Sequence, residues 1–458
     1  MNTLFISALN KSSGKTTVSI GLARALADRG CTVQPFKKGP DYIDPMWLGR
    51  AAGRPCVNLD FHTMGHDDIS TTFAGTTRGA DFALIEGNKG LYDGLDLEGS
   101  DSNAALAKLL GAPIVLVIDT RGMTRGIAPV ILGYQAFDED LEIAGVILNQ
   151  VGGPRHEGKL RAAVEHYTNV PVLGAIGRHR EMEISERHLG LVPTNEAEQA
   201  DAVIQDIARI IADGVDMDAL QATARPALPS VPAKVDRPLP APDIRIAIAQ
   251  DAAFGFYYPD DLDALRRAGA ELVPFDALTD TALPDADGLL IGGGFPETQA
   301  AALSANKALR GDIRARLIAG MPAYAECGGL MYLARSLTWR GETYEMVGVI
   351  PGDVALSAKP VGRGYVVLRE TGDSPWEPPE RFEPASDIPA HEFHYASLEN
   401  LPQGQTFAYD VKRGVGIDGD HDGIVIGHLL ATFSHQRSIG ANRWADRFIA
   451  FTRSKKGL

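Results

Sequence analysis

Cysteine is scarce in this sequence: Cys31, Cys56 and Cys327 are the three in 458 residues, and no C-x-x-C pair occurs. That excludes a disulfide framework and argues against a cysteine-built zinc or redox motif, so a reducing, cytoplasmic setting is expected. Long apolar runs are missing too. None approaches the roughly 18 residues of a membrane span, and the N-terminus lacks the charged region, apolar core and small-residue cleavage site of a signal peptide. Basic residues are in deficit, 44 Lys and Arg against 59 Asp and Glu, for a formal net charge of −15. Neither nucleic acid nor a membrane is therefore an expected partner, and an anionic ligand would need a local basic patch.

What is present is enough chain for two or three domains, each with its own core. Strand-like runs "TLFISAL", "TVQPFKK", "FALIEG", "PIVLVID", "IAGVILNQV" and "VPVLGAIG" alternate with helical patterns. Near-continuous apolar runs of this length predict a parallel sheet covered on both faces. Residues 223–243 hold six prolines and read as a linker. The alternation then restarts with "IRIAIAQ", "AELVPFD", "GLLIGGG", "PAYAECGG" and a last apolar segment, "GIVIGHLLATF". The expected organisation is an α/β domain over 1–222, a linker over 223–243 and a second α/β domain over 244–458.

The first strand runs into "LNKSSGKTT", the ending of a phosphate-binding loop, with Leu9 where G-x-x-x-x-G-K-[ST] has its first glycine. In such a loop the backbone N–H groups of Ser12, Ser13, Gly14 and Thr17 and the start of the helix face phosphate. Lys15 adds a point charge and Thr16 a magnesium ligand. "KKGPDYIDP" and "LIEGNKGLYDG" follow the second and third of these strands. They fall at the carboxyl ends of parallel strands, where open α/β sheets bind ligands. There Asp41, Asp44, Glu86 and Asp93 offer the hard oxygens that suit Mg²⁺, and Lys37 and Lys38 could meet phosphate or an acidic substrate. Asp119 is either a further metal or water partner or a helix N-cap.

A second centre is legible in "PAYAECGGLMYL", where Cys327 lies between a small-residue strand and a helix, the arrangement of a nucleophile elbow. Upstream, Gly292-Gly293-Gly294 supplies amides that could stabilise an oxyanion. A thiolate nucleophile also needs a base, and "ATFSHQRS" offers His435 after the last apolar segment. Cys31 and Cys56 lack such surroundings and read as structural. His391, Glu392 and His394 have H-x-x-H spacing, but on an alternating strand the two imidazoles would face opposite ways, so an interface or structural role is preferred to a metal site.

Taken together, "SSGKTT", "KKGPDYIDP", "GRPCVNLD", "EGNKGLYDG", "LAKLLGAPIVLVIDTRG", "AGVILNQVG", "ERHLGLVP", "GGGFPE", "AECGGLMYL" and "HEFHY" resemble the cobyrinic acid a,c-diamide synthase family over almost the whole chain. The resemblance implies a dethiobiotin-synthetase-like P-loop domain followed by a triad-type glutamine amidotransferase domain. It further implies an ATP- and Mg²⁺-dependent ligase that amidates acetate carboxylates of a tetrapyrrole with nitrogen from glutamine. Lys15, Thr16, Asp41, Glu86 and Asp93 match family positions for nucleotide, Mg²⁺ and substrate activation, and Tyr42 lies close to the substrate. A homodimer is also implied.

This chain departs from the family pattern at Lys11 and Ser12, where Ser and Gly are usual, at Met46-Trp47-Leu48, at Asn88-Lys89, and at Gln436-Arg437 after His435. These changes resemble the sirohaem-amidating branch, so cobyrinate, hydrogenobyrinate and sirohaem all stand as candidate macrocycles. Two other classes compete: a nucleotide-dependent switch, which needs no Cys-Gly-Gly elbow, and a tetrapyrrole carrier without catalysis.

Overall fold

Buried apolar strands set the architecture of the N-terminal half. The chain is described here by a computed structural model that covers residues 1–182, 184, 186–187, 190–197, 199–227, 238–376 and 387–457. It divides into two compact units, Met1–Val235 and Asp236–Leu458. In the first, strand β1 (Asn2–Ala8) leads to helix α1 (Lys15–Asp28), β2 (Val33–Lys38) to α2 (Ile43–Ala52), and β3 (Val57–Leu59) to α3 (His66–Thr76). Then β4 (Phe82–Glu86) leads to α4 (Asn103–Leu110), β5 (Ile114–Asp119) to α5 (Ile127–Phe137), and β6 (Ile143–Val151) to α6 (Pro154–Tyr167). Strand β7 (Val172–Gly177) and helix α7 (Ala200–Gly214) follow.

The strands pair in the order β3-β2-β4-β1-β5-β6-β7, all parallel. Burial on both faces explains the unbroken apolar runs; β4, for example, is buried at every position. Because each βα crossover returns to the same sheet in parallel, the loops after β1, β2 and β4 gather at one sheet edge, the carboxyl end. Helix α1 is held on the sheet by α7 at close approach, since a Cβ at Gly21 would lie 2.3 Å from Ile211 Cγ1. The chain continues past the expected boundary at residue 222. Arg225 and Pro226 pair antiparallel with Thr3 and Asn2, which makes the start of the proline-rich stretch an edge of the first unit. Residues 228–237 of the expected linker lie outside the described residues.

In the second unit the parallel part of a larger sheet runs through Ala270–Phe275, Ile244–Ala249, Gly288–Ile291, Ala323–Glu326 and Leu429–Thr432. It continues antiparallel through His421–Ile426, Phe407–Arg413, Gly362–Glu370 and Ile388–His394. The segment "GIVIGHLLATF", expected as one apolar stretch, is a hairpin that turns at Gly427, whose φ is 58°. A separate four-stranded sheet is built from Ala334–Trp339, Glu342–Glu345, Ile350–Leu356 and Ala396–Glu399. Among the described residues, no helix is long and apolar enough to cross a membrane.

One buried amide fastens the loop after β2. Asn58 on β3 donates from Nδ2 to the carbonyls of Gly39 (2.8 Å) and Asp41 (2.7 Å). Replacing it with Ala leaves two buried carbonyls short of a donor, so Asn58→Ala should lower stability by about 1–3 kcal/mol, read by denaturant unfolding. It should also raise amide exchange specifically over residues 39–44.

Candidate functional site

At the carboxyl end of the first sheet, the loop 9–14 enters α1 through Gly14 in the left-handed region, φ 83°. The other left-handed residue in this loop is Ser12, φ 62°, at a position where the resembling family usually has glycine. Leu9 does not adopt positive φ, so the turn has no need of a glycine there. Its carbonyl instead accepts the Tyr134 hydroxyl of α5 at 3.0 Å. Asn149, on β6, donates from Nδ2 to Ser13 O (2.9 Å) and lies where a Cβ on Gly14 would collide, at 2.3 Å. Ser13 Oγ donates to Asn10 Oδ1 at 2.8 Å, which closes the loop on itself through side chains. Thr17, in the first turn of α1, is half-buried.

Thr16 Oγ1 donates to Glu86 Oε1 at 2.6 Å and lies 3.3 Å from Asp44 Oδ2. Between the same two carboxylates sits Lys37, with Nζ 2.6 Å from Asp44 Oδ2 and 2.8 Å from Glu86 Oε1. Burial works to discharge Lys37, but the charges of Asp44 and Glu86 outweigh it and hold the ammonium above its ordinary value. Burial raises Glu86; it also opposes the charge on Asp44, yet there Lys37 wins and the carboxyl is lowered. Lys15 is held below its usual value by burial, then by the neighbouring Lys37.

Asp41 stands one step back from this cluster. Its Oδ1 accepts the amides of Ile43 (2.9 Å) and Asp44 (3.1 Å), starting α2, and its Oδ2 is 4.0 Å from Lys37 Nζ. Burial, then the Asp44 carboxylate, push it up to about 7. The acid that reaches Thr16 is therefore Asp44, and Asp41 acts locally as the cap that aims it.

The remaining predicted residues surround this centre. Tyr42 is buried at the start of α2. Lys38 is buried, which lowers its pKa, and reaches Asn88 Oδ1 at 3.4 Å. Asp93 turns onto its own loop and accepts Gly90 N at 2.9 Å. Asp119 caps Arg121 N (3.0 Å) and pairs with the Arg121 guanidinium at 2.6 Å, away from the Thr16 cluster. Trp47 points inward, its indole N–H on Val192 O at 2.9 Å.

A phosphate-bound divalent ion fits these residues. Glu86 Oε2 is buried with no hydrogen-bond partner, beside the hydroxyl of Thr16. Among the described residues no group of three or more His, Cys, Asp and Glu forms a cage for a metal by itself. That is the expected situation for Mg²⁺, which takes one or two carboxylates and completes its shell with phosphate oxygens and water.

In the second unit, Cys327 joins the strand Ala323–Glu326 to the short helix Gly328–Leu333 with φ 47°, a costly conformation for a residue with a side chain. The strain is held by Cys327 N on Thr432 O (2.7 Å) and by Met331 N on Cys327 O (3.0 Å). Glycines are required around it. A Cβ on Gly329 would lie 2.2 Å from Ile291 O, one on Gly328 3.0 Å from Gly294 N, and one on Gly293 2.6 Å from His435 Cε1. Gly293 and Gly294 thus border both the elbow and the imidazole, and Gly292 N is taken by Tyr257 Oη at 2.9 Å.

His435 is hydrogen-bonded to Cys327 and to Glu326. Its backbone pairs with His391 in both directions (3.1 and 2.7 Å), and the two rings stack at 4.9 Å. The other histidine of that segment, His394, stacks on Phe433 at 4.2 Å. Both imidazoles thus pack against the 433–435 segment, yet His394 shares its face of the strand with Glu392, their side chains 3.7 Å apart, so alternation sets His391 on the other face, as expected. Glu392 accepts the amides of Val415 (2.8 Å) and Gly416 (2.9 Å), a fastening role.

Burial disfavours the imidazolium, but Cys327 and then Glu326 outweigh it and raise His435 to about 10. With the folded value above the free one, its contribution to stability is complete below about 6.5 and is lost as pH rises through about 10. In histidine-labelled protein, the His435 ring resonances should titrate near pH 10, and Cys327→Ala should move the midpoint down toward ordinary histidine values. A midpoint near 6.5 in the unaltered protein would contradict the paired state.

Comparison with known proteins agrees with this two-centre arrangement. Residues 5–192 match the CobQ/CobB/MinD/ParA nucleotide binding domain, and residues 245–442 match the CobB/CobQ-like glutamine amidotransferase domain. The cobyrinate a,c-diamide synthase of Magnetococcus marinus is 48% identical over 99% of this chain and 97% of its own length. That of Methanosarcina acetivorans is 42% identical over 97% and 94%, and that of Archaeoglobus fulgidus 41% over 98% and 97%. A parallel-sheet nucleotide-binding domain followed by a glutamine amidotransferase domain, similar from end to end to these relatives, places the chain in the cobyrinate a,c-diamide synthase family.

Proposed function

We propose that this enzyme is an ATP- and glutamine-dependent carbon–nitrogen ligase that amidates the a and c acetate carboxylates of cobyrinate or hydrogenobyrinate. The observation that carries the reading is the presence, in one chain similar throughout to cobyrinate a,c-diamide synthases, of both a phosphate-loop carboxylate cluster and a Cys–His elbow. Residues 1–222 form the synthetase part and 244–458 the glutaminase, joined through 223–243, whose Arg225 and Pro226 pair with the first sheet. The setting is cytoplasmic, and a homodimer is the assembly proposed.

In the glutaminase, Cys327 attacks the side-chain amide carbon of glutamine, with the Gly293 and Gly294 loop facing the developing oxyanion. His435 gives its proton to the leaving ammonia, and water then releases glutamate from the thioester. In the synthetase, Ser12, Ser13, Gly14 and Thr17 present backbone amides to the phosphates, with Lys15 as their counter-charge. Bound at Thr16 and Glu86, with Asp44 beside them and Asp41 capping the helix that aims it, Mg²⁺ would neutralise phosphate charge. An acetate oxygen attacks the γ-phosphorus of ATP, ADP leaves, and ammonia displaces phosphate from the acyl phosphate to leave the amide. Tyr42, Lys38 and Asp93 border the carboxylate being activated. Lys89, next to Asn88, is exposed.

Of the departures from the family pattern, Trp47 is buried and bonded to the backbone, so it does not argue for a different ring. Lys11, Ser12 and Lys89 are exposed changes, and they make sirohaem the second substrate to test. Cobyrinic acid, hydrogenobyrinic acid and sirohaem, each incubated with glutamine and Mg-ATP, should be compared by mass spectrometry for replacement of O by NH. Product from neither corrinoid sinks the reading, and product from sirohaem alone moves it to that ring. Nucleotide turnover that ignores ring and glutamine but follows oligomeric state would identify a switch; ring binding without turnover would identify a carrier.

Cys327→Ala should abolish glutamine-dependent amidation and retain it with high ammonia, because nitrogen delivery and carboxylate activation reside in different centres. Glu86→Gln should do the reverse, losing amidation with either nitrogen source while glutamine hydrolysis persists.

A further inference from the structure

A cysteine–histidine pair works when a third group fixes the imidazole on the side away from the sulfur. Two residues beyond His435, where a short loop could have supplied an acid, stands Arg437, a buried cation that pairs with Asp260 and lies over the Tyr258 ring at 4.6 Å. Tyr258 Oη in turn lies 3.4 Å from His391 Nδ1. Neither neighbour offers His435 a carboxylate.

Glu326 does. Its Oε2 lies 3.5 Å from His435 Nδ1. Its Oε1 is fixed from two directions, by the Tyr324 hydroxyl at 2.6 Å and by the amide of Gln436 at 3.1 Å. The side chain is 9% exposed and Tyr324 is fully buried. The carboxylate is thus held at one oxygen and presented to the imidazole with the other.

We infer that Glu326, the residue immediately before the nucleophile, is the positioning carboxylate of the glutaminase, keeping the Nδ1 proton of His435 directed toward itself and Nε2 toward Cys327. This rests on the glutaminase reading proposed above. The proton taken up by His435 is the one given to ammonia, so no proton passes to Glu326.

The test uses the full-length protein and free glutamine. Glu326→Gln keeps the shape and removes the charge; kcat for glutamine hydrolysis should fall about a hundredfold or more, with KM for glutamine little changed. The His435 ring titration should shift to lower pH, a change that a purely structural contact would not produce. Amidation with high ammonia should be unchanged. Should Glu326→Gln fail to fold, Tyr324→Phe releases only Oε1 and should lower kcat severalfold with the same direction of ring shift. Unchanged kcat and titration in the folded variant overturn the inference. Absence of glutamine hydrolysis in the unaltered protein overturns the functional reading instead, which separates the two failures.

Discussion

A lysine ammonium with 3% of its side-chain surface exposed, bonded to carboxylates from two different elements, organises the functional end of the first unit. An unpaired charge at that depth costs several kcal/mol, so Lys37, Asp44 and Glu86 must assemble together or not at all. Lys37 and Glu86 are register partners on β2 and β4, and slipping those strands by one residue would send the two side chains to opposite faces. Asp44 brings the first turn of α2 to the same point, and Thr16 brings the first turn of α1. One charge cluster thus ties strand register, two helix starts and the phosphate loop into one unit.

The second unit solves a different problem, that of keeping a strained residue in place. Cys327 is held at positive φ by hydrogen bonds to the adjacent strand and to its own helix, and the space it needs is cleared by glycines at 293, 294, 328 and 329. Asp422, fully buried, takes the amides of Phe433 (3.0 Å) and Ser434 (2.9 Å) and so sets the bend from which His435 projects. Apolar packing behind the elbow, from Leu289, Ile291, Leu330 and Phe433, gives these polar contacts a rigid wall.

Most of this was legible as pattern. The phosphate loop, the acids after β2 and β4, the elbow and His435 are local signals, each set by a strand ending in a turn. What pattern could not resolve was the choice between Asp41 and Asp44, three residues apart in "DYIDP". Which one turns inward depends on where α2 begins, and Asp41 captures the first amides of that helix. Strand β3 was missed because three residues, "VNL", carry too little periodicity to be recognised. Asn149 and Glu326 were passed over for another reason: each acts on a partner more than a hundred residues away, and no spacing rule connects them. The bend at 433–434, which sets where His435 projects, lies beyond any periodic pattern and could not be read from spacing.

The adjacency of Glu326 and Cys327 has a mechanical consequence. A single peptide bond joins the group that directs the base to the group the base serves, so the two cannot drift apart as the protein breathes. The three-member constellation behaves as two bodies, one rigid strand end and one segment carrying His435. Displacing that segment carries the imidazole away from sulfur and carboxylate in the same motion.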